Sequence, residues 1–417
     1  MIRTSLLASA LVLSSGCLIP LGGEPNDGGS LDAGPVVSLP DGGVATWYRD
    51  VLPVAQTRCQ GCHVAGGIAS FSMDSYPEVK KWANQMANAT ENRRMPPWMP
   101  AESCGQSYRD SRRMSQKEID VFTAWVAGGA VEGNPADAPV AAKQDALEWV
   151  DATVAPLNSY LPSESVVDDY HCFLVDPKVT SAKSVIGYEV IPGQRSEVHH
   201  VLIYAVDKAK AQAKDDAEAG EGWTCFGASG IDDADLIGGW VPGTAKVSYP
   251  AGTGIPLAAG KVFAMQIHYN TSLVPRSADT TTVKLQYARE TVIPATLIPI
   301  LDYTFAIPPN AMDYTPLGHP KEFPNTLGFD ARVWGVLPHM HQKGKRIAVK
   351  GPERCMVDIP KWDFHWQQQY FFDQPQLVKK NTKVTLTCTW DNPTSKYVQW
   401  GEGTSDEMCL AYLYATL

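Results

Sequence analysis

From about Trp149 to Leu417 the sequence offers little that a helix could use. Its apolar residues come in short alternating runs: "SVIGYEVIP", "EVHHVLIYAVD", "KVFAMQIHYNTS", "TVKLQYARE", "RIAVKG", "KVTLTCTW" and "MCLAYLYATL". Alternation with a period of two marks a strand with one face in a core. The Pro, Gly and Asn residues between the runs are turn formers. Some 270 of the 417 residues follow this pattern, too many for one sandwich, so two antiparallel β-sandwiches are predicted, at 148–290 and 291–417.

Histidines are set into these strands. His199 and His200 are adjacent in "EVHHVLIY", His268 lies in "FAMQIHYN", and His339 and His341 flank Met340 in "PHMHQ". A single strand histidine is ordinarily a hydrogen-bonded core residue; three separate groups call for more. Residues i and i+2 of a strand share a face, so His339 and His341 can chelate one ion while Met340 points into the core. His199 and His200 would project to opposite faces unless a twist or bulge intervenes. Histidine clusters on β scaffolds suit zinc or copper. His171, His319 and His365 fit no such group and read as structural or surface residues.

The N-terminal third is different. "MIRTSLLASALVLSSGC" has a cation at Arg3, an apolar run from Leu6 to Leu13 and small residues before Cys17, the form of an export signal over 1–17. Ser14-Ser15-Gly16-Cys17 is similar to a bacterial lipobox, which implies lipidation of Cys17 and a membrane anchor in the cell envelope; ordinary cleavage with Cys17 as a bystander is the alternative. Residues 18–45, rich in Gly, Pro, Asp and Ser, read as a flexible tether.

Next, "YRDVLPVAQTRCQGCHVAGG" holds Cys59, Cys62 and His63 as C-x-x-C-H, the attachment signature of a c-type haem. Two thiols one helical turn apart can bond the two vinyl groups, and the next residue then lies under the iron. A redox dithiol or half a zinc site is the rival, though no second C-x-x-C exists. In "NRRMPPWMPAES" the second axial ligand is Met95, with Met99 as fallback; a thioether opposite His raises the haem potential. "MSQKEIDVFTAWVAGG" opens with Ser115 and Glu118 as a capping box and has helical spacing at Ile119, Phe122 and Val126. A small all-α cytochrome c domain over 46–135 is therefore expected, making the fold multidomain. The formal charge of -10 leaves no basic surplus for phosphates and argues against a nucleic-acid partner.

"VHHVLIY", "MQIHYN", "PHMHQKG" and "GEGTSDEMCLAYLY" also occur in the order of the copper motifs of the type II ascorbate-dependent copper monooxygenases, the peptidylglycine alpha-hydroxylating and dopamine beta-monooxygenase family. The resemblance covers roughly residues 150–417. It implies two jelly-roll sandwiches with one copper each. His199, His200 and His268 resemble the electron-transfer site, and His339, His341 and Met408 the oxygen-activating, catalytic site. It also implies disulfides Cys172–Cys225 and Cys388–Cys409, and leaves Cys104 and Cys355 undecided. Leu337 stands where peptidylglycine enzymes have a substrate-holding arginine, and Leu410 where they have an asparagine; Tyr412 is retained. The implied pocket is more apolar, for a substrate other than a glycine-ended peptide. Gln266, on the strand face of His268, is a candidate for ordering water or substrate between the sites.

The expected function is a dicopper monooxygenase that hydroxylates a C–H bond of a small molecule with dioxygen. The haem relays electrons from an ascorbate-like reductant or a redox protein. A non-catalytic copper and haem electron-transfer lipoprotein is the alternative.

Overall fold

The computed structural model describes residues 43–65, 69–140, 146–242, 244, 246–271, 275–326, 329–401 and 405–417, without the side chain of His365. The export signal, Cys17 and the tether up to residue 42 lie outside the described residues.

Residues 47–127 carry four α-helices: Leu52–Arg58, Tyr76–Lys81, Ala83–Glu91 and Gln116–Ala127. The last one starts as its sequence dictates. Ser115 accepts from the Glu118 main chain while the Glu118 carboxylate accepts from Ser115, so two orphan helix-end groups are satisfied together. Glu118 also holds Arg58 at 2.9 Å, tying this helix to the one that leads into Cys59. Val51, Val54, Phe122 and Trp125 fill the space between the first and last helices, and Trp47 meets Trp125 at 6.0 Å.

The rest is mainly β-sheet, with one further α-helix at Lys208–Asp215. A five-stranded sheet centres on Val262–Asn270, paired on one side with Asp168–Val175 and on the other with Val198–Val206. A second centres on Lys383–Asn392 and Gly344–Lys350. Instead of two further separate sheets, one nine-stranded sheet backs both. Its halves join where Ile293–Leu301 runs parallel to Thr253–Leu257, with Ile293 opposite Thr253. Each five-stranded sheet buries its apolar face against its own half: Phe173, Ile203 and Phe263 with Tyr188 on one side, and Ile347, Leu386 and Trp390 with Val336 and Leu413 on the other. The two sandwiches therefore have separate cores and one shared sheet.

The helical module is clamped to the C-terminal sandwich. Cys104 and Cys355 form a disulfide across 251 residues. Trp98, Met99 and Tyr108 pack against the C-terminal core, with Trp98 edge-on to Tyr370 at 5.3 Å. Main-chain bonds run from Ala101 to Asp358 and from Arg109 to Phe371. Met99 is thus used in packing between modules. Cys172–Cys225 and Cys388–Cys409 are the other disulfides. No described helix is long and apolar enough to cross a membrane.

Candidate metal centres

His200 lies opposite His268 in the pairing of Val198–Val206 with Val262–Asn270, whereas Val198 lies opposite Tyr269. One residue is therefore extra, and it is His199. A bulge of this kind turns the extra side chain out of the regular alternation, which lets both adjacent histidines reach the same side. The three Nδ1 atoms converge. His199 lies 3.1 Å from His268 and 3.4 Å from His200, and His200 lies 3.3 Å from His268. Among the described residues this is the one cluster of three or more His, Cys, Asp or Glu within metal-binding reach, its ligand atoms lying within 4.8 Å of one another.

The donors fit a metal ion. His268 Nε2 donates to Asp168 Oδ1 at 2.9 Å, so its Nδ1 carries the lone pair. Tyr170 stacks on the same ring at 4.1 Å. Burial holds the pKa of His268 below the ordinary value, against the pull of Asp168. His200 is pushed well down by burial and by the neighbouring imidazoles. Neutral rings crowded nitrogen to nitrogen repel through their lone pairs, and a shared cation removes that repulsion.

The second group is built on Ala331–His339 and Leu410–Thr416. His339 is paired with Leu410 and Leu337 with Tyr412. In an antiparallel ladder, opposed residues share a face, so these four form one patch. That pairing ends at His339 with Leu410; His341 lies just past the end of its strand, and Met408, two residues before Leu410, is buried. His339 donates from Nδ1 to Gln367 Oε1 at 2.5 Å and His341 from Nδ1 to the Asp406 carbonyl at 3.2 Å. Each Nε2 is thereby left as the ligand atom. The rings lie 5.1 Å apart, nearly perpendicular. Burial, with the His341 charge, lowers the His339 pKa to about 3. Two imidazoles joined by a thioether would be a donor set for copper rather than zinc.

Sequence reasoning missed several residues here. Glu407 accepts from the main-chain N–H of His341 and of Lys343 and from Trp390 Nε1, locking the turn after His339 to the strand end that carries Met408. Burial raises its pKa to about 7. The segment from Phe364 to Gln369 touches every module. Phe364 stacks on His199 at 5.2 Å and meets His341 edge-on at 6.1 Å. Gln367 orients His339, Gln368 donates to the Pro97 carbonyl of the helical module, and Gln369 bonds Tyr188 and Gly239 of the N-terminal sandwich.

Gln266 packs toward the disulfide loop of Cys225. It is fully buried, and its amide nitrogen donates to the carbonyls of Cys225 and Ala228. Both hydrogens anchor the disulfide loop, while its Oε1 is buried without a hydrogen-bond partner among the described residues. His171 stacks on Tyr160 and bonds the Glu221 carbonyl. His319 pairs with buried Asp302 at 2.9 Å.

In the helical module Cys59 and Cys62 are free thiols. The main-chain N–H groups of Cys62 and His63 both bond the Cys59 carbonyl, and His63 Nδ1 donates to the Phe71 carbonyl at 3.0 Å. This leaves His63 Nε2 as a lone-pair donor, suited to an axial position. Burial pushes the Cys59 thiol up to about 12, the reverse of what a redox dithiol needs. Burial also raises Cys62, moderated by the charges of Arg112 and Arg195. Arg195 lies on the loop that leads into the His199 strand. Met95 borders a small cavity with Met114 and Ile119, residues of the core against which Cys59 packs.

Residues 296–415 match the family model of the copper type II ascorbate-dependent monooxygenase, C-terminal domain. That stretch contains His339, His341 and Met408. Tyramine beta-hydroxylase of Caenorhabditis briggsae is 22% identical over 292 residues, which is 65% of this chain and 46% of that protein. The chain thus spans about half the length of its curated relative. Among solved structures, the major capsid protein P2 of bacteriophage PM2 is 7% identical, with 64% of this chain and 97% of that one covered at a TM-score of 0.26. The infectious bursal disease virus VP2 subviral particle is 9% identical, with 66% and 74% covered at 0.16. Likenesses this slight carry no argument.

Proposed function

We propose that the chain is a dicopper monooxygenase that places one atom of dioxygen into a C–H bond of a small, largely apolar molecule and draws electrons through a c-type haem. His199, His200 and His268 hold one copper; His339, His341 and Met408 hold the other and form the catalytic centre. Copper bound there supplies one-electron chemistry with dioxygen, and the thioether favours the cuprous form.

The chain's own residues do the rest. Asp168, Gln367 and the Asp406 carbonyl each accept a hydrogen bond from a ring N–H and fix which nitrogen faces the metal. Burial keeps His200 and His339 uncharged, so no proton competes for the ligand atom. Leu337, Leu410 and Tyr412 lie on the sheet face of His339 and give substrate an apolar floor. Phe364, between His199 and His341, excludes water from the gap.

Cys59, Cys62, His63 and Met95 are the proposed haem attachment and axial residues. A haem held by them supplies a one-electron store. One feature supports delivery from there: the Pro97 carbonyl, two residues from Met95, is bonded to Gln368, next to the residue that orients His339. The terminal donor is an ascorbate-like reductant or a redox protein. Export with a lipid anchor at Cys17 is part of the proposal, and three disulfides agree with an oxidising compartment.

The observation that carries the reading is the convergence of three Nδ1 atoms from two strands, made possible by one extra residue at His199. The test is copper and haem analysis, then oxygen uptake under isotopically labelled dioxygen with candidate substrates. Two coppers, one haem and label in a hydroxylated product are expected. Full copper with no labelled product for any substrate would make the chain an electron carrier, and sub-stoichiometric copper would remove both readings. His339→Ala is expected to abolish turnover and leave the haem spectrum unchanged.

A further inference from the structure

We infer that Asp168 is a positioning residue that lowers the reduction potential of the three-histidine centre relative to the other; this rests on the dicopper reading above. The two centres differ in what stands behind their imidazoles. His268 donates Nε2–H to a carboxylate oxygen at 2.9 Å. The same oxygen accepts from Asn270 Nδ2 at 2.8 Å, and Tyr170 lies parallel to the ring at 6°, so each partner is held from a second side. The His268 side chain is wholly buried while that of Asp168 is 24% exposed. Solvent therefore helps keep the carboxylate charged, while the bond it makes lies in the dry interior.

Behind His339 and His341 stand neutral acceptors, the Gln367 amide oxygen and the Asp406 carbonyl. Glu407 is close by but bonds main-chain and indole N–H groups rather than either ring. A carboxylate behind an imidazole makes it a stronger donor and favours the higher charge on a bound metal. Neutral acceptors and a thioether favour the lower charge. The outer partners thus reinforce the ligand difference. With copper held at both groups, a one-electron transfer from the His199/His200/His268 side to the His339/His341/Met408 side would be favoured, with no atom transferred and the Asp168–His268 hydrogen bond kept.

The test is a redox titration of the full-length, copper-loaded protein, following the two cupric signals by electron paramagnetic resonance. Asp168→Asn keeps an oxygen acceptor but removes the charge. It is expected to move the electron distribution between the centres at least tenfold, about 59 mV for one electron, by raising the three-histidine potential alone. Gln367→Glu is expected to lower the other centre alone. Unchanged potentials in both variants, or equal shifts at both centres, would overturn the inference while leaving two bound coppers and the dicopper reading intact. Wild-type protein that binds fewer than two coppers would sink that reading and the inference with it. If Asp168→Asn fails to hold copper, Gln367→Glu decides: a lowered potential upholds the principle, and an unmoved one ends it.

Discussion

Glu407 shows how a side chain next to a ligand can matter more to geometry than to chemistry. Its carboxylate accepts three N–H groups in the interior. Glu407→Ala strands those donors, each at roughly 1–3 kcal/mol. A loss of about 3 kcal/mol or more of unfolding free energy is expected, measured by urea titration of the metal-free protein. The histidines make a second prediction. His339 sits near 3 in the fold against an ordinary 6.5, and His200 and His268 are shifted the same way. Between those values the unfolded chain binds protons that the folded chain refuses, so stability rises with pH across that window. The metal-free protein should therefore weaken progressively as pH falls from about 6.5 toward 3; a urea midpoint level from pH 7 to 4 would contradict this. His199, His200, His268 and His339 were legible as letters in strands, whereas His341, expected on the same strand face as His339, falls just past the strand end. Asp168, Gln367 and Phe364 were not, because their partners are 100, 28 and 165 residues away, and no periodicity records a contact that only the fold creates.

The strand Ala331–His339 must deliver His339 to a fixed place, and its regularity is interrupted between Val333 and Gly335. A Cβ on Gly335 would meet Phe371 Cδ1 at 2.6 Å and the Tyr370 carbonyl at 3.0 Å. Main chain cannot retreat as a side chain can. Gly335→Ala is expected to cost roughly 1–3 kcal/mol as overpacking and to loosen copper at His339/His341/Met408 while the three-histidine centre stays filled; copper stoichiometry with resonance spectra separates the two. Most strands were legible from alternation alone. The bulge at His199 was legible only as a condition for chelation, since an extra residue is defined against the partner strand and not within its own. The shared sheet was invisible for the same reason: its parallel seam is two residue pairs between Thr253–Gly254 and Ile293–Pro294.

For the whole molecule, the sequence separated a helical part from a β part, and that division holds in the coordinates. How the parts meet was not legible, because Cys104 and Cys355 carry no mark of their pairing and Trp98 reads equally well as a core residue of its own module. Their disulfide joins regions that also share the Trp98–Tyr370 contact and the Ala101–Asp358 bond. Replacing both, Cys104→Ser with Cys355→Ser, is expected to lower unfolding free energy by about 2–5 kcal/mol, with the absorption bands of the proposed haem unmoved; a shift of those bands would mean that the clamp also shapes the site proposed for it. The same crosslink closes a ring of polypeptide spanning 251 positions. A protease that nicks this ring once produces no free fragment, so the damaged molecule runs as a single band on a gel until a thiol is added to the sample.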